Sequence, residues 1–474
     1  MSVFPTRRQW LVRCGLGCGS LALADLLCRS QAAPALNPLA PKPAHFPAKA
    51  KAVIWIFANG GASHVDTWDY KPELQKRDGQ PLPTLDKESG FFINQVGPLM
   101  KSPFTWKQCG QSGKWVSELF PHLSAHVDRM AFIHSLWNES NNHSPALYMM
   151  NTGLPRMGGP SVGSWVTYGL GSENENLPGF VVMTDPKGRG LPKGHALNWT
   201  NGFLPGAFQG TWLKPSGDPI DNLAPAKDRS PAAQSQQLAL MEQLNRLQLS
   251  ETSAADRELE ARIKSFELAY RMQSAAPEAL DIGKETQATQ ELYGIGRPEC
   301  DHFARQCLMA RRLVERGVRF VQIYSGGMEN QLSWDGHIDI RGNHSQFAAE
   351  TDRPVAGLIT DLQHRGLLDS TLVIWAGEFG RLPVSQPGAK PGRDHNPHAN
   401  TAWLCGGGVR GGVSYGETDE VGYRAVVNMV DIHDFHATLL HLLGIDHEKL
   451  TFFHNGRRYR LTDVHGKVIR EIIA

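Results

Sequence analysis

The chain has 474 residues, 41% hydrophobic and 20% charged, with 48 Lys and Arg against 47 Asp and Glu. That is globular composition, long enough for a large core in one elaborated α/β domain or in two or three smaller ones. A formal net charge of +1, with no long basic run, argues against a nucleic-acid or membrane-surface binder.

The first 33 residues read as an export leader. In "TRRQWLVRCGLGCGSLALADLL", Arg7 and Arg8 precede a short apolar stretch rich in Gly, Leu and Ala, the pattern of a twin-arginine signal. "SQAAPA" (Ser30–Ala35) offers small-residue cleavage points. The expected partner is the twin-arginine export machinery, and the expected location is periplasmic or secreted. No later segment reaches the roughly 18 apolar residues that span a bilayer, so no stable membrane span is expected in the mature chain. Residues 34–50 are rich in Pro and Ala and read as a linker. Of seven Cys, Cys109, Cys300, Cys307 and Cys405 lie beyond the leader. Cys300 and Cys307 fall on one apparent helix, about two turns apart, too far to bond each other.

From residue 51 onward, apolar runs end in Gly or polar residues: 51–61, 129–136, 179–184, 318–327, 371–380 and 401–408. Helical periodicity lies between them. Phe347, Pro354, Leu358 and Leu362 share one rhythm, with Pro354 an awkward member, and Phe435, Leu439, Leu442 and Leu443 another. Continuous apolar strands alternating with helices predict an α/β fold, a mostly parallel central sheet with helices on both faces. Residues 208–300 begin loop-like and then turn amphipathic, with Leu259, Ile263, Phe266 and Tyr270 on one face. They read as a helical insertion in a domain spanning 51–474: a lid, a partner surface, or a core-packing pair.

Ligands gather beyond the carboxyl ends of strands in open α/β sheets. After the first strand come Asn59, His64 and Asp66; after the second, Asn142, His143 and Ser144. After 318–327 come Asp335, His337 and His344, and after 371–376 comes Glu378. "GRDHNPH" then supplies Arg393, Asp394, His395 and His398. Imidazole mixed with carboxylate is the ligand chemistry of zinc and similar divalent metals. Glu378 needs a partner at the end of a buried strand: a metal, a peptide amide, or Arg381 or Arg393. His433, His436 and His441 read as packing or capping residues.

The twin-arginine leader, "FANGGASHVDTWDYKPEL", "NHSPALYMMNTG", "WDGHIDIRGNH", "TLVIWAGEFGRLP", "GRDHNPHANTAWLCGGGVRGG" and "TDVHGKVIREI" together resemble the exported domain-of-unknown-function family 1501. More widely they resemble the sulfatase and alkaline phosphatase superfamily. The wider resemblance implies an α/β sheet holding one or two divalent ions, such as zinc, manganese or calcium, at its strand ends. It implies metal roles for Asn59 (with His64 or Asp66 substituting), Asp335, His337, Glu378 and Asp394, and for His395 or His398. At the sulfatase nucleophile segment, His143, Ala146 and Leu147 replace Cys, Ser and Arg, which disfavours formylglycine chemistry. Ser144 or a water would attack instead, with His143 as a possible ligand and Arg393 or Asn142 holding anionic oxygens. The implied activity is hydrolysis of phosphate or sulfate esters on an anionic small molecule or glycan. The alternative is a non-catalytic binding protein on a decayed sulfatase-like scaffold.

Overall fold

The computed structural model describes residues 37–474 apart from 87–88, 215–218, 329 and most of 221–255, and apart from the side chains of 256–265. The twin-arginine leader lies outside the described residues. Eight strands form one sheet: β1 (Ala52–Ala58), β2 (Met130–Leu136), β3 (Phe180–Met183), β4 (Thr211–Leu213), β5 (Phe320–Ser325), β6 (Thr371–Ala376), β7 (Asn400–Cys405) and β8 (Val413–Tyr415). Their order is β8-β2-β7-β6-β1-β5-β3-β4. Every neighbouring pair is parallel except the two made by β7, which runs antiparallel to β2 and β6.

Strand β1 shows why its run is apolar without alternation. Ile54, Ile56 and Ala58 face one hydrophobic cluster, while Val53, Trp55 and Phe57 face another. Both sheet faces are therefore covered, as a parallel sheet requires. Helices α1 (His143–Thr152) and α2 (Val162–Leu170) cover one face with α6 (Ile432–Leu442). Helices α3 (Asp256–Leu280), α4 (Asp301–Glu315) and α5 (Ile340–His364) cover the other. The mostly parallel α/β architecture expected from the sequence is the one observed.

Two details depart from the sequence reading, the strand Thr211–Leu213 and the docking of residues 37–50, while α3 matches its core-packing alternative. Thr211–Leu213 pairs with β3 as the sheet's edge strand, so the helical stretch begins later than 208. Met272, Ala276 and Ala279 of α3 are buried in the core. Residues 37–50 are docked rather than free: Lys42 donates its amide to the Leu170 carbonyl and His45 to Gly444, and Ala50 is buried. Pro354 sits inside α5 without ending it. The four described cysteines are all free. His433 and His436 meet the Gly153 and Met150 carbonyls at 3.0 and 2.9 Å, tying α6 to the end of α1. No helix among the described residues is long and apolar enough to cross a membrane.

The direction of β7 positions the site. The carboxyl ends of β1, β2, β5 and β6 open at one edge of the sheet. Because β7 is reversed, the segment leading into it, residues 395–399, arrives at that same edge.

Buried charge fastens the helical layer. Arg189 bridges Asp185, after β3, to Glu350 on α5 at 2.7 Å, and His302 on α4 lies 3.3 Å from the same carboxylate. Burial opposes ionisation of Glu350, but hydrogen bonds from His302 and Arg189 prevail and bring its pKa from 4.5 to about 2. A carboxyl depressed on folding stabilises fully above its unfolded pKa, and that stability is lost as pH falls through the folded value. Glu350→Gln should therefore cost up to ~3 kcal/mol at neutral pH and flatten the stability–pH curve between about pH 4.5 and pH 2. Denaturant unfolding across that range tests this; an unchanged acid limb would refute the assignment.

Candidate metal centre

The loop between β5 and α5 is folded back on itself. Trp334 donates its amide to the Asn59 carbonyl (2.9 Å) and its indole N–H to Ser325 (3.1 Å), while Asn343 holds the Ser333 carbonyl at 2.9 Å. Gly60 makes this approach possible. Its φ is +104°, and a Cβ there would stand 2.7 Å from the Asp335 amide nitrogen, so a side chain would be both strained and obstructed. Asp335 is thereby delivered, 1% exposed, to the mouth of β1. At α1, Asn142 is the N-cap, accepting from the Ser144 amide at 3.3 Å. His143 then points inward from the first turn.

Asp335, His337 and His395 converge. The two histidine Nε2 atoms are 2.9 Å apart, and they stand 2.9 and 3.3 Å from Asp335 Oδ1. Nδ1 of His395 lies 2.6 Å from the Asn141 carbonyl. A carbonyl only accepts, so Nδ1 carries the hydrogen and Nε2 of the neutral ring is bare. Nδ1 of His337 lies 2.7 Å from Gln386 Oε1, so an Nδ1–H donated there turns Nε2 toward Asp335 and His395. With both Nδ1 atoms so engaged, two imidazole nitrogens and a carboxylate oxygen face one another within 3.3 Å. Such a set suits a divalent cation, and the outer hydrogen bonds are of the kind that orient metal-binding imidazoles.

His143 and Glu378 adjoin the three. Nδ1 of His143 is 2.8 Å from Glu378 Oε1, and its Nε2 is 3.1 Å from Asp335 Oδ2. That second contact lacks hydrogen-bond geometry, and Nε2 stays unpartnered together with Glu378 Oε2. Glu378 also accepts the Gly60 amide at 2.9 Å. Burial disfavours charge on His143, but Asp335 and Glu378 overcome it and raise its pKa. Burial, aided by the charge of His143, holds His395 well below the ordinary imidazole range. Burial also opposes ionisation of Asp335, yet Arg381 and His143 keep its pKa well below the ordinary value. Candidate ligands here fall into two buried groups that share His395: His143, Asp335 and His395, and His337, Asp394 and His395; a third, Asp185, His302 and Glu350, lies in the helical layer.

The other expected residues are engaged elsewhere. Asp66 and Arg393 pair with each other at 2.7 Å, both fully buried, so Asp66 is no ligand here. Arg393 also donates to the Leu382 and Met100 carbonyls, which leaves it no role in holding an anion. Asn59 donates its amide to the Gly327 carbonyl. His64 meets the Gly422 carbonyl at 2.7 Å, and half-buried His398 meets Ser89 at 3.2 Å. Asp394 accepts the amides of His395 (2.8 Å) and Phe92 (2.6 Å). His344 accepts the Ser63 amide at 2.8 Å. The Ser144 hydroxyl makes no hydrogen bond among the described residues, and Asn142 serves α1 as its cap.

Sequence reasoning missed three contributors. Arg381 was a rival partner for Glu378; instead it lies 2.6 Å from Asp335 and donates to the Gly60 and Gly61 carbonyls. Gln386, which fixes His337, carries no spacing signal. Lys193 is lowered by burial, and Asp335 and Glu378 counter that lowering; no motif marks it.

No curated protein matches the sequence. Among solved structures the chain is similar to the lipoteichoic acid synthase LtaP from Listeria monocytogenes, at 11% identity over 90% of this chain and 78% of that one, with a TM-score of 0.34. It is similar to the PsFucS1 sulfatase from Pseudoalteromonas sp., at 11% identity over 84% and 68%, TM-score 0.34. It is also similar to a protein in the alkaline phosphatase superfamily from Vibrio parahaemolyticus, at 11% identity over 86% and 70%, TM-score 0.34. The functional reading rests on the side chains, not on these likenesses. The family described as "Protein of unknown function (DUF1501)" matches residues 50–473, and the chain belongs to that family.

Proposed function

We propose that the chain is an exported, metal-dependent hydrolase of phosphate or sulfate esters. The observation that carries this is the convergence of Asp335 Oδ1, His337 Nε2 and His395 Nε2, with the outer ring nitrogens held by Gln386 and Asn141. Two imidazoles and a carboxylate suit zinc or manganese; calcium prefers oxygen ligands throughout. A bound divalent ion supplies Lewis acidity, polarising an ester oxygen and lowering the pKa of water. Asp335, His337 and His395 would hold it. His143, between Asp335 and Glu378, is placed to hold a proton and pass it to a leaving oxygen. Glu378 orients that imidazole and keeps an unpartnered oxygen facing the site. Water is the better candidate for attack than Ser144, whose hydroxyl no described residue engages. The paired arginines Arg7 and Arg8 support export by the twin-arginine route to the periplasm or beyond.

Binding of an ester without turnover is a second reading, favoured by the engagement of Arg393 with Asp66.

Elemental mass spectrometry of the desalted protein should find a bound divalent ion. Asp335→Asn and His395→Ala should lose it, and Gln386→Ala should weaken its binding ~10-fold or more. Protein that neither carries nor takes up zinc or manganese would end the proposal. With metal retained, His143→Ala should lower ester hydrolysis ~100-fold or more, while Ser144→Ala should change it little. Turnover by neither the wild type nor any variant, on both phosphate and sulfate esters, would leave the binding reading standing. Asp66→Ala should destabilise the fold by about 3–5 kcal/mol without depleting metal from the folded fraction. Loss of metal from folded protein would restore Asp66 to the site.

A further inference from the structure

The edge of the sheet that carries the cluster is rimmed by exposed apolar side chains. Phe91 is 49% exposed, Phe92 37%, Met328 41%, Leu332 48% and Ile338 61%. They come from separate stretches of chain, and each stretch is tied to the cluster. The Phe91 ring lies 5.6 Å from the His395 ring, and the Phe92 ring meets the His337 ring edge-on at 5.1 Å. The Phe92 amide is fixed on Asp394. Ile338 follows His337 directly. The turn holding Met328 and Leu332 is anchored where Asn330 donates its amide to Asp335 Oδ2 at 2.9 Å. Exposed apolar side chains gathered round a site mark a ligand contact more often than chance placement.

Charge points the same way. Arg381 and Arg393, the guanidinium groups nearest in sequence to Glu378 and His395, are fully buried and bound to Asp335 and Asp66. Neither is offered to a sulfated or phosphorylated glycan, which leaves Lys193, whose charge is felt by Asp335 and Glu378, as a single cation beside the reacting end. Recognition of a multiply charged substrate would need such forks presented to solvent.

We infer that the substrate's non-reacting part is apolar: an alkyl chain or aryl group on a phosphate or sulfate ester, lying against Phe91, Phe92 and Ile338. This rests on the ester-hydrolase reading for the reacting end only. The contacts with the apolar end do not depend on turnover.

Calorimetric binding of octyl phosphate, kept below its micelle-forming concentration, is compared with that of methyl phosphate. Octyl phosphate should bind roughly tenfold tighter or more, since each buried methylene contributes several-fold. Ile338→Ser should shrink that preference while leaving methyl phosphate affinity unchanged; Phe92→Ala should shrink it too. Ile338 is the more exposed, so its variant folds even where Phe92→Ala disturbs the His337 ring. Equal affinity for the two phosphates, binding of neither, or a preference untouched by both variants would overturn the inference. Hydrolysis of 4-nitrophenyl alkyl phosphates, methyl to octyl, separates the two ideas. An octyl preference in binding without turnover would sink the hydrolase reading alone. Turnover indifferent to chain length would sink the apolar-substrate inference alone.

Discussion

The buried carboxylate of Asp335 is the constraint on which the site depends. A carboxylate taken out of water costs several kcal/mol unless its charge is answered. Arg381 answers it at 2.6 Å, from the end of β6, while also gripping the carbonyls of Gly60 and Gly61. One guanidinium therefore joins the turn after β1, the loop after β5 and the turn after β6. Removing it would leave Asp335 with His143 as its nearest counter-charge and release three strand ends at once. Because the pairing uses only part of Asp335, its remaining lone pairs stay directed at His337, His395 and His143.

A second buried pair, Asp66 with Arg393, does the same work one layer out. It holds the short helix His64–Thr67 against the strand segment carrying His395. The two arginines thus act inside the protein, as fixed counter-charges that shape the loops. The consequence is that neither guanidinium is presented to solvent. An internal framework of ion pairs and an external rim of Phe91, Phe92 and Ile338 are two sides of one distribution of charge.

The antiparallel strand β7 is the other enabling feature. In a wholly parallel sheet, residues preceding a strand lie at the opposite edge from residues following one. Reversal of β7 brings His395 to Asp335 and His143, although these residues lie far apart in the chain. The same reversal puts the Asn141 carbonyl against His395 Nδ1 and so fixes which nitrogen faces the cluster.

The sequence by itself determined the α/β class, most of the strands and which polar side chains lie at their ends. Those properties are local: apolar runs of strand length, glycines at their ends, and His or Asp just beyond. Asp335, His337, Glu378, His143 and His395 were all legible as polar residues following or preceding apolar strands. Thr211–Leu213, at three residues, is too short to carry a pattern of its own and fell in the loop-like start of the 208–300 stretch. Only the tertiary structure decided which charged residues meet. Arg381 and Arg393 were both candidates for Glu378, and each found an aspartate instead, while Glu378 took the Gly60 amide and His143. Asp66 and His64 sit in a motif that reads like a ligand set, yet one turn of helix carries both into other partnerships. Sequence spacing tells which side chains reach the strand ends; pairing there is set by distance and burial between loops that are remote in the chain.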